Sequence, residues 1–195
     1  MKSLFFSELR QARDKHPRLN LADRAIFIAN LGFVHNVIVA TEDLLREALE
    51  RSRGDYRKYL RLHLEEERDH AAWLARDLAS AGVIPGMPAQ EICAMVGSQY
   101  YLIRHVDPIG LLGYMAALEC FPMCLDSVAE LERLHGSDLC RTLRYHAEHD
   151  TDHGLDVLEQ IERLNAPQFS LVLQNALQTT SYIGAAISKL GGKNA

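Results

Sequence analysis

The chain has 195 residues, 48% hydrophobic and 24% charged, which is an ordinary composition for one globular domain with a buried core. A formal net charge of −5 leaves no basic face to neutralise phosphates, which argues against a nucleic-acid-binding protein. The N-terminal apolar run is too short for a secretory signal, and no uninterrupted apolar stretch of 18 residues occurs. We therefore expect a cytoplasmic protein with no membrane partner.

Hydrophobic periodicity predicts seven helices, and no stretch shows the period of two that marks a strand. Proline and glycine set the boundaries, notably at Pro17, at Gly54, in AGVIPGMP (81–88) and at Gly136. Pro122 lies inside the fifth helix and predicts a kink there. The predicted helices cover about Ser7–Lys15, Leu21–Arg51, Asp55–Ser80, Ala89–His105, Pro108–His135, Ser137–Asn165 and a last segment after Pro167 to Leu190. An all-α bundle in a single domain, residues 1–195, is expected.

The second predicted helix carries a histidine among apolar residues. His35 shares its stripe with Ile28 and Leu31, and Glu42 follows two turns further on. A lone histidine in such a position is more often a hydrogen-bonded core residue than a metal ligand. His35 is therefore a candidate whose role stays open.

The third predicted helix contains LHLEEERDHAAWL (62–74). Four of its polar side chains fall within about 60° of one another on a helical wheel: His63, Glu66, Glu67 and His70. The pattern favours a functional cluster on one side of this helix.

A single carboxylate interrupts the apolar fifth helix. Glu119 is the only charged residue in GLLGYMAALECFPM (110–123) and shares a face with Leu112 and Met115. An ionised carboxylate among such neighbours is costly unless it is paired or bound to a metal. Glu119 is therefore a candidate ligand, with a buried ion pair as the alternative.

The sixth predicted helix carries the densest cluster, RYHAEHDTDHGLDVL (144–158). With His146 at zero on the wheel, Asp150 lies at about +40° and His153 at about −20°. The apolar Val157 lies along the same stripe, which indicates that the ladder faces the interior.

Imidazole and carboxylate without thiolate form a ligand set that suits non-haem iron or manganese. Facing helices of a bundle can project such ligands into one core, so the sequence predicts a metal site. The cysteines form no C-x-x-C pair and are expected to be small buried thiols outside that site. They are Cys93, Cys120, Cys124 and Cys140.

The order of these residues along the chain resembles the haem-oxygenase-like diiron oxidases and oxygenases, relatives of thiaminase II and of pyrroloquinoline-quinone synthase. The resemblance implies a seven-helix haem-oxygenase-like bundle and two Fe(II) ions, or one iron and one manganese. It also implies O2 as co-substrate, oxidation of a small organic molecule, and a homodimer. Its most specific part is His146-x3-Asp150-x2-His153, supported by Glu119 in the context LGYMAALE.

The resemblance also implies particular ligands, namely His70, Glu119, His146, Asp150 and His153. Glu67 or Glu66 would supply one further carboxylate. Some members of the family carry a glutamate at the position of His63. The early helix of the family often carries a glutamate at the position of His35. The chain therefore favours one well-formed metal site over two.

Two alternatives stay open. In a metal-free enzyme like thiaminase II or the quinone-cofactor synthase, the same histidines would move protons and Cys120 or Cys124 could be a nucleophile. In a ferritin-like bundle, Glu67-x-x-His70 would be part of a paired metal motif. The substrate could be an amino acid, a fatty acid, an amine or an aromatic acid. Arg104, Arg141 and Arg144 could bind a substrate carboxylate, although a solvated position is favoured for each.

Overall fold

The computed structural model describes residues 1–191, apart from the side chains of Asp150 and Thr151. Every regular element in this part of the chain is helical, so the predicted all-α class is confirmed. The nine described α-helices are α1 (Lys2–Arg13), α2 (Arg24–Arg51), α3 (Gly54–Glu66), α4 (His70–Ser80), α5 (Gln90–His105), α6 (Leu111–Glu119), α7 (Leu125–His135), α8 (Arg141–Glu162) and α9 (Ala166–Gly191). Short 3₁₀ turns precede α6 and α8.

The third predicted helix is two helices, α3 and α4, with a break at Glu67–Asp69. Asp69 adopts the left-handed conformation, with φ at 68°, which aspartate tolerates better than most residues. Neither glycine nor proline marks this break, so the sequence pattern did not reveal it. The break begins at Glu67 and ends just before His70, and both of these residues belong to the predicted metal site.

The fifth predicted helix is also divided, into α6 and α7. The predicted kink at Pro122 is a full break from Cys120 to Cys124, because proline has no backbone N–H to donate and its ring crowds the preceding turn. Glu119 is thereby the last residue of α6. Phe121, two residues further on, packs against α1 instead of continuing the helix axis.

The core centres on α6, where Leu111, Leu112, Tyr114 and Met115 are all but fully buried. This helix packs closely against α9 at Gly113. A Cβ atom added to Gly113 would lie 2.3 Å from the carbonyl oxygen of Val172 and 2.7 Å from the amide nitrogen of Ala176. Only glycine therefore permits this crossing.

Among the helices of the described residues, α2 is the longest, and it is apolar enough to resemble a membrane span. An 18-residue window within it has a mean hydropathy of 1.5, and 22% of the window is buried inside the structure. The core helix of a soluble protein passes the same test, so the property alone assigns no membrane role. Phe27, Leu31 and Leu44 on this helix are fully buried, which accounts for part of its apolar character.

Glu47 ties α2 to α5 through charge-assisted hydrogen bonds. The guanidinium of Arg104 donates to both carboxylate oxygens at 3.0 Å, and Arg51 donates to one of them at 2.7 Å. Hydrogen bonds from Arg104, and then from Arg51, lower the pKa of Glu47 from 4.5 to about 2. The ion pair between Glu47 and Arg104 joins α2 to α5 outside the core.

Replacement of Glu47 by glutamine should reduce the free energy of unfolding at pH 7 by at most about 1 kcal/mol, because both arginines are half-exposed. A carboxyl group with a lowered pKa in the folded state stabilises that state above pH 4.5, and this contribution falls as the pH drops from 4.5 towards 2. Urea unfolding from pH 7 down to pH 3.5 measures the difference. Glu50→Gln on the same helix is the control, and a difference for Glu47→Gln that does not depend on pH would contradict the assignment.

Candidate metal centre

Three side chains from different helices meet inside the bundle. His63 lies in the last turn of α3, Glu119 ends α6, and His153 lies in α8. One nitrogen or oxygen atom from each lies within 4.8 Å of the others. The three residues are 2%, 8% and 9% exposed, so the polar atoms meet in a buried place. We call these three residues the His–Glu cluster.

A second set of imidazoles adjoins the His–Glu cluster. Oε2 of Glu67 lies 3.2 Å from Nδ1 of His70, and Oε1 of Glu67 lies 3.6 Å from Nδ1 of His153. The ring centroids of His70 and His146 are 4.9 Å apart. The carboxylate of Glu67 therefore lies between the two sets and contacts a histidine of each.

The charges of neighbouring carboxylates and imidazoles change the pKa values of two groups in the site, His63 and Glu67. Burial alone would lower the pKa of His63. The charge and hydrogen bond of Glu119, with smaller effects from Glu67 and Glu66, outweigh it and raise the pKa of His63 to about 9. Burial opposes ionisation of Glu67, but its hydrogen bond to His70 and the nearby imidazoles lower the pKa of Glu67. The site thus favours the ionised form of Glu67 and the protonated form of His63.

Several buried polar atoms at this place have no hydrogen-bond partner among the described residues. They include Oε2 of Glu119, Nε2 of His70 and Nδ1 of His153. Buried polar atoms are normally hydrogen-bonded, so their grouping indicates a missing partner that accepts electron pairs. A divalent cation that displaces the proton of His63 fits this donor set, because neutral imidazole and carboxylate are the ligands that iron and manganese accept.

Aromatic rings hold the imidazoles in place. The ring of Tyr59 stacks on His63 with 5.8 Å between the centroids. Trp73 and Tyr145 pack against His70 at 4.5 Å and 5.1 Å. Tyr145 directly precedes His146 in the ladder, and the helical wheel did not identify it as part of the site.

The other predicted ligands lie in different places. The carboxylate of Glu66 is 54% exposed, and its Oε2 lies 3.6 Å from Nε2 of His153, so it reaches the rim of the site. The side chain of Asp150 lies outside the described residues. No hydrogen bond, ion pair or ring contact in the described part of the chain joins His35 to the His–Glu cluster. His35 does not line the adjoining cavity, although Ile38, one turn further along α2, does, and a ligand role for His35 stays a prediction.

Gly154 allows α8 to approach the end of α6. A Cβ atom at this position would lie 2.9 Å from the carbonyl oxygen of Glu119 and 3.2 Å from Cα of Cys120. Because Gly154 directly follows His153, this close contact fixes the distance between the His153 and Glu119 side chains. The glycine is a site residue that the helical wheel did not identify.

A cavity of about 420 Å³ adjoins the two sets of residues and is lined by Glu67, Glu119 and His146. Its other walls come from α1, α2, α6, α8 and α9, from the break after α6 and from the turn after α1, and they are mostly apolar. A more open cavity of about 500 Å³, between the start of α1 and α8, reaches Glu119 as well. The mostly apolar lining of the 420 Å³ cavity is suited to an organic molecule.

The cysteines lie outside the His–Glu cluster. Cys140 is buried and Cys120 is half-buried, but Cys93 and Cys124 are exposed, so the expectation of buried thiols was wrong for these two. Burial, followed by the charge of Glu119, raises the pKa of Cys120 to about 12. A thiol with such a pKa is a poor nucleophile at neutral pH.

Helix order and site together define an all-helical protein with a haem-oxygenase-like fold. Across 100% of this chain and 88% of the other, it is similar to a domain of unknown function with a heme oxygenase-like fold from Shewanella denitrificans OS217, with a TM-score of 0.68 and 13% identity. It is also similar to a TenA homolog from Pseudomonas syringae pv. tomato str. DC3000, with a TM-score of 0.74 and 14% identity over 96% of this chain and 91% of that one. No protein-family model matches the sequence, and no curated protein is significantly similar to it. The fold implied by the sequence resemblance is confirmed.

Proposed function

We propose that this protein is a non-haem iron-dependent oxidoreductase that uses O2 to oxidise a small organic substrate. The observation that carries the proposal is the buried His–Glu cluster, in which ligand atoms from three helices lie within 4.8 Å of one another. Fe(II) bound there would supply electrons to O2. The protein contributes the ligands and the adjoining, mostly apolar cavity in which a substrate could bind.

The individual side chains have distinct proposed roles. His63, Glu119 and His153 hold one ion. Glu67 contacts Nδ1 of His70 at 3.2 Å, which orients the ring and leaves its Nε2 for a second ion shared with His146. We therefore propose a pair of sites for two iron ions, or for one iron and one manganese.

The cavity favours an enzyme over a ferritin-like metal store, because storage requires no enclosed apolar space beside the ligands. We further propose a cytoplasmic location and a homodimer. Both remain predictions from the sequence and its resemblance.

One observation favours a second candidate, a metal-free acid–base enzyme. Nε2 of His63 and Oε1 of Glu119 are 3.2 Å apart, and this carboxylate raises the pKa of the imidazole. A buried histidine and carboxylate beside a cavity could exchange a proton with a bound molecule. Cys120 is not suited to act with them, since its thiol is held protonated.

Anaerobic reconstitution with Fe(II) tests the proposal. After removal of unbound metal, the wild-type chain should retain at least one iron per chain, and admission of O2 should be followed by O2 consumption. His153→Ala should lose most of the bound iron. His149→Ala is the matched control, because His149 lies on the same helix, is exposed and has its Nδ1 2.8 Å from the carbonyl oxygen of Tyr145.

The proposal fails if the wild-type and His153→Ala proteins retain the same negligible amount of iron. In that case the acid–base enzyme becomes the better candidate. Equal iron loss in His149→Ala and His153→Ala would instead show that α8 holds iron at its surface and not in the His–Glu cluster.

A further inference from the structure

Aromatic and imidazole rings on α4 and α8 pack against one another. The ring centroids of His70 and His146 are 4.9 Å apart, and those of Trp73 and Tyr145 are 5.0 Å apart. Side chains three or four residues apart lie on the same side of a helix. One side of α4 thus meets one side of α8, and the relative position of the two helices sets the distance between His70 and His146.

A buried carboxylate continues this line of contacts. Asp77, two turns along α4 from His70, is 3% exposed. Its Oδ2 accepts hydrogen bonds from the backbone nitrogen of Thr142 at 2.7 Å and from the hydroxyl of Thr142 at 2.6 Å. Its Oδ1 accepts a hydrogen bond from Nε of Arg141 at 3.2 Å, so this arginine, which the sequence suggested as a substrate ligand, is paired within the fold. Both carboxylate oxygens therefore contact the first turn of α8.

The carboxylate of Asp77 acts as the N-terminal cap of α8. Cys140, the residue that precedes this helix, makes no side-chain capping hydrogen bond. The first backbone N–H groups of a helix need an acceptor, and their partial positive charge favours an anion. Because the acceptor belongs to α4, the cap also fixes α4 to the start of α8.

The break before α4 makes the position of this helix depend on such contacts. His70 is the first residue of α4, directly after the break at Glu67–Asp69, so no continuous helix axis carries the position of α3 over to His70. The hydrogen bond between Glu67 and His70 orients the imidazole ring. The position of the helix that carries this ring is set by what α4 packs against, and Asp77 is its hydrogen-bonded contact with the backbone of α8.

From these contacts, and resting on the proposed function, we propose that Asp77 is the positioning residue that holds His70 against His146 for the second metal ion. Asp77 itself touches neither the ion nor a substrate. It fixes α4 to the first turn of α8, one turn before His146, and thereby keeps the two imidazoles close enough to share one ion. The His–Glu cluster is built from α3, α6 and α8 without a residue of α4, so loss of Asp77 affects the second ion more than the first.

Fluorescence of Trp73, the only tryptophan in the chain, tests the inference. Its ring centroid lies 4.5 Å from that of His70, so a paramagnetic ion bound to His70 should quench its emission during anaerobic titration of the full chain with Fe(II). In Asp77→Ala this quenching should need at least about tenfold more Fe(II), since loss of a residue that orients a ligand costs about 10- to 100-fold in metal affinity. Asp77→Asn should restore part of the affinity, because its amide oxygen can still accept a hydrogen bond from the backbone of Thr142.

Two control variants separate positioning from a general loss of stability. Asp138→Ala is the matched control, since Asp138 also pairs with Arg141, at 3.7 Å, but its side chain is 76% exposed. Gln99→Leu removes a buried hydrogen bond to Asn175, 3.0 Å long, between α5 and α9, two helices that carry none of the proposed ligands. Both controls should keep the wild-type quenching curve. Equal weakening in Gln99→Leu and Asp77→Ala, or a wild-type curve in Asp77→Ala, would overturn the inference.

Quenching of Trp73 by acrylamide, with a chelator present, gives a readout that does not depend on metal. Asp77→Ala should show a larger quenching constant than the wild type and both controls, because α4 is no longer held against α8. That result in a chain that binds no iron would refute the proposed function and leave the positioning of His70 by Asp77 standing. Iron binding with no change in either readout for Asp77→Ala would do the reverse. Iron binding by the wild type without quenching of Trp73 would also overturn the inference, because no ion would then lie at His70.

Discussion

Replacement of Glu119 by glutamine is expected to weaken Fe(II) binding by at least about 100-fold. One carboxylate oxygen lies 3.2 Å from Nε2 of His63, and the other has no hydrogen-bond partner among the described residues. Glutamine keeps the shape but removes the charge and replaces one oxygen donor by an NH2 group that cannot coordinate a metal. Loss of a partner that only orients a ligand costs about 10- to 100-fold in metal affinity, so loss of a ligand should cost more. Anaerobic competition with a chromogenic chelator measures the change.

The Glu119→Gln protein also provides a readout in the absence of metal. Because Glu119 supplies the largest of the effects that raise the pKa of His63 to about 9, the substitution should lower that pKa, as an NMR titration of the His63 ring would show. Glu148→Gln on α8 is the control, since Glu148 is exposed and should change neither property. Unchanged Fe(II) affinity in Glu119→Gln would remove this carboxylate from the proposed ligand set.

Replacement of Gly113 by alanine is expected to reduce the free energy of unfolding by about 3 kcal/mol or more. The new Cβ atom would lie 2.3 Å and 2.7 Å from backbone atoms of α9, which cannot rotate away as a side chain can. Helices α6 and α9 must therefore separate, at the cost of packing around Tyr114 and Met115, and overpacking of this kind commonly costs 1–3 kcal/mol or more. For a chain of this size, the melting temperature should fall by roughly 6–12 °C.

Gly97→Ala is the matched control for Gly113→Ala. Gly97 lies in α5, and a Cβ atom there would have no atom within 4 Å. Alanine should then stabilise the protein by about 0.5–1 kcal/mol through its higher helix propensity. Similar stability of the two variants would show that the crossing of α6 and α9 is looser than described.

The sequence predicted the helical class and most of the polar side chains at the site, because helical periodicity is a local property. It placed His63, Glu67 and His70 on one face, and the structure keeps these three close even though the helix breaks at Asp69. Local spacing could not show which histidine meets Glu119. The resemblance favoured His70, whereas packing of α3 against the end of α6 brings His63 to within 3.2 Å of that carboxylate.

Features that depend on contacts between helices were not predictable from local patterns. Gly113 and Gly154 look like weak points within helices, yet each permits a close backbone contact. Arg13 and His16 line the cavity beside Glu67 and Glu119, because α1 packs against α9. His35 is a candidate ligand by the resemblance alone, since no contact among the described residues joins it to the His–Glu cluster.

Anomalous diffraction at the iron edge, from crystals grown anaerobically with Fe(II), tests the central claim most directly. The account predicts a peak in the space between His63, Glu119 and His153, with ligand atoms drawn in to about 2.0–2.3 Å from it. A fully loaded crystal without a peak there, or with iron only at exposed side chains, would contradict it.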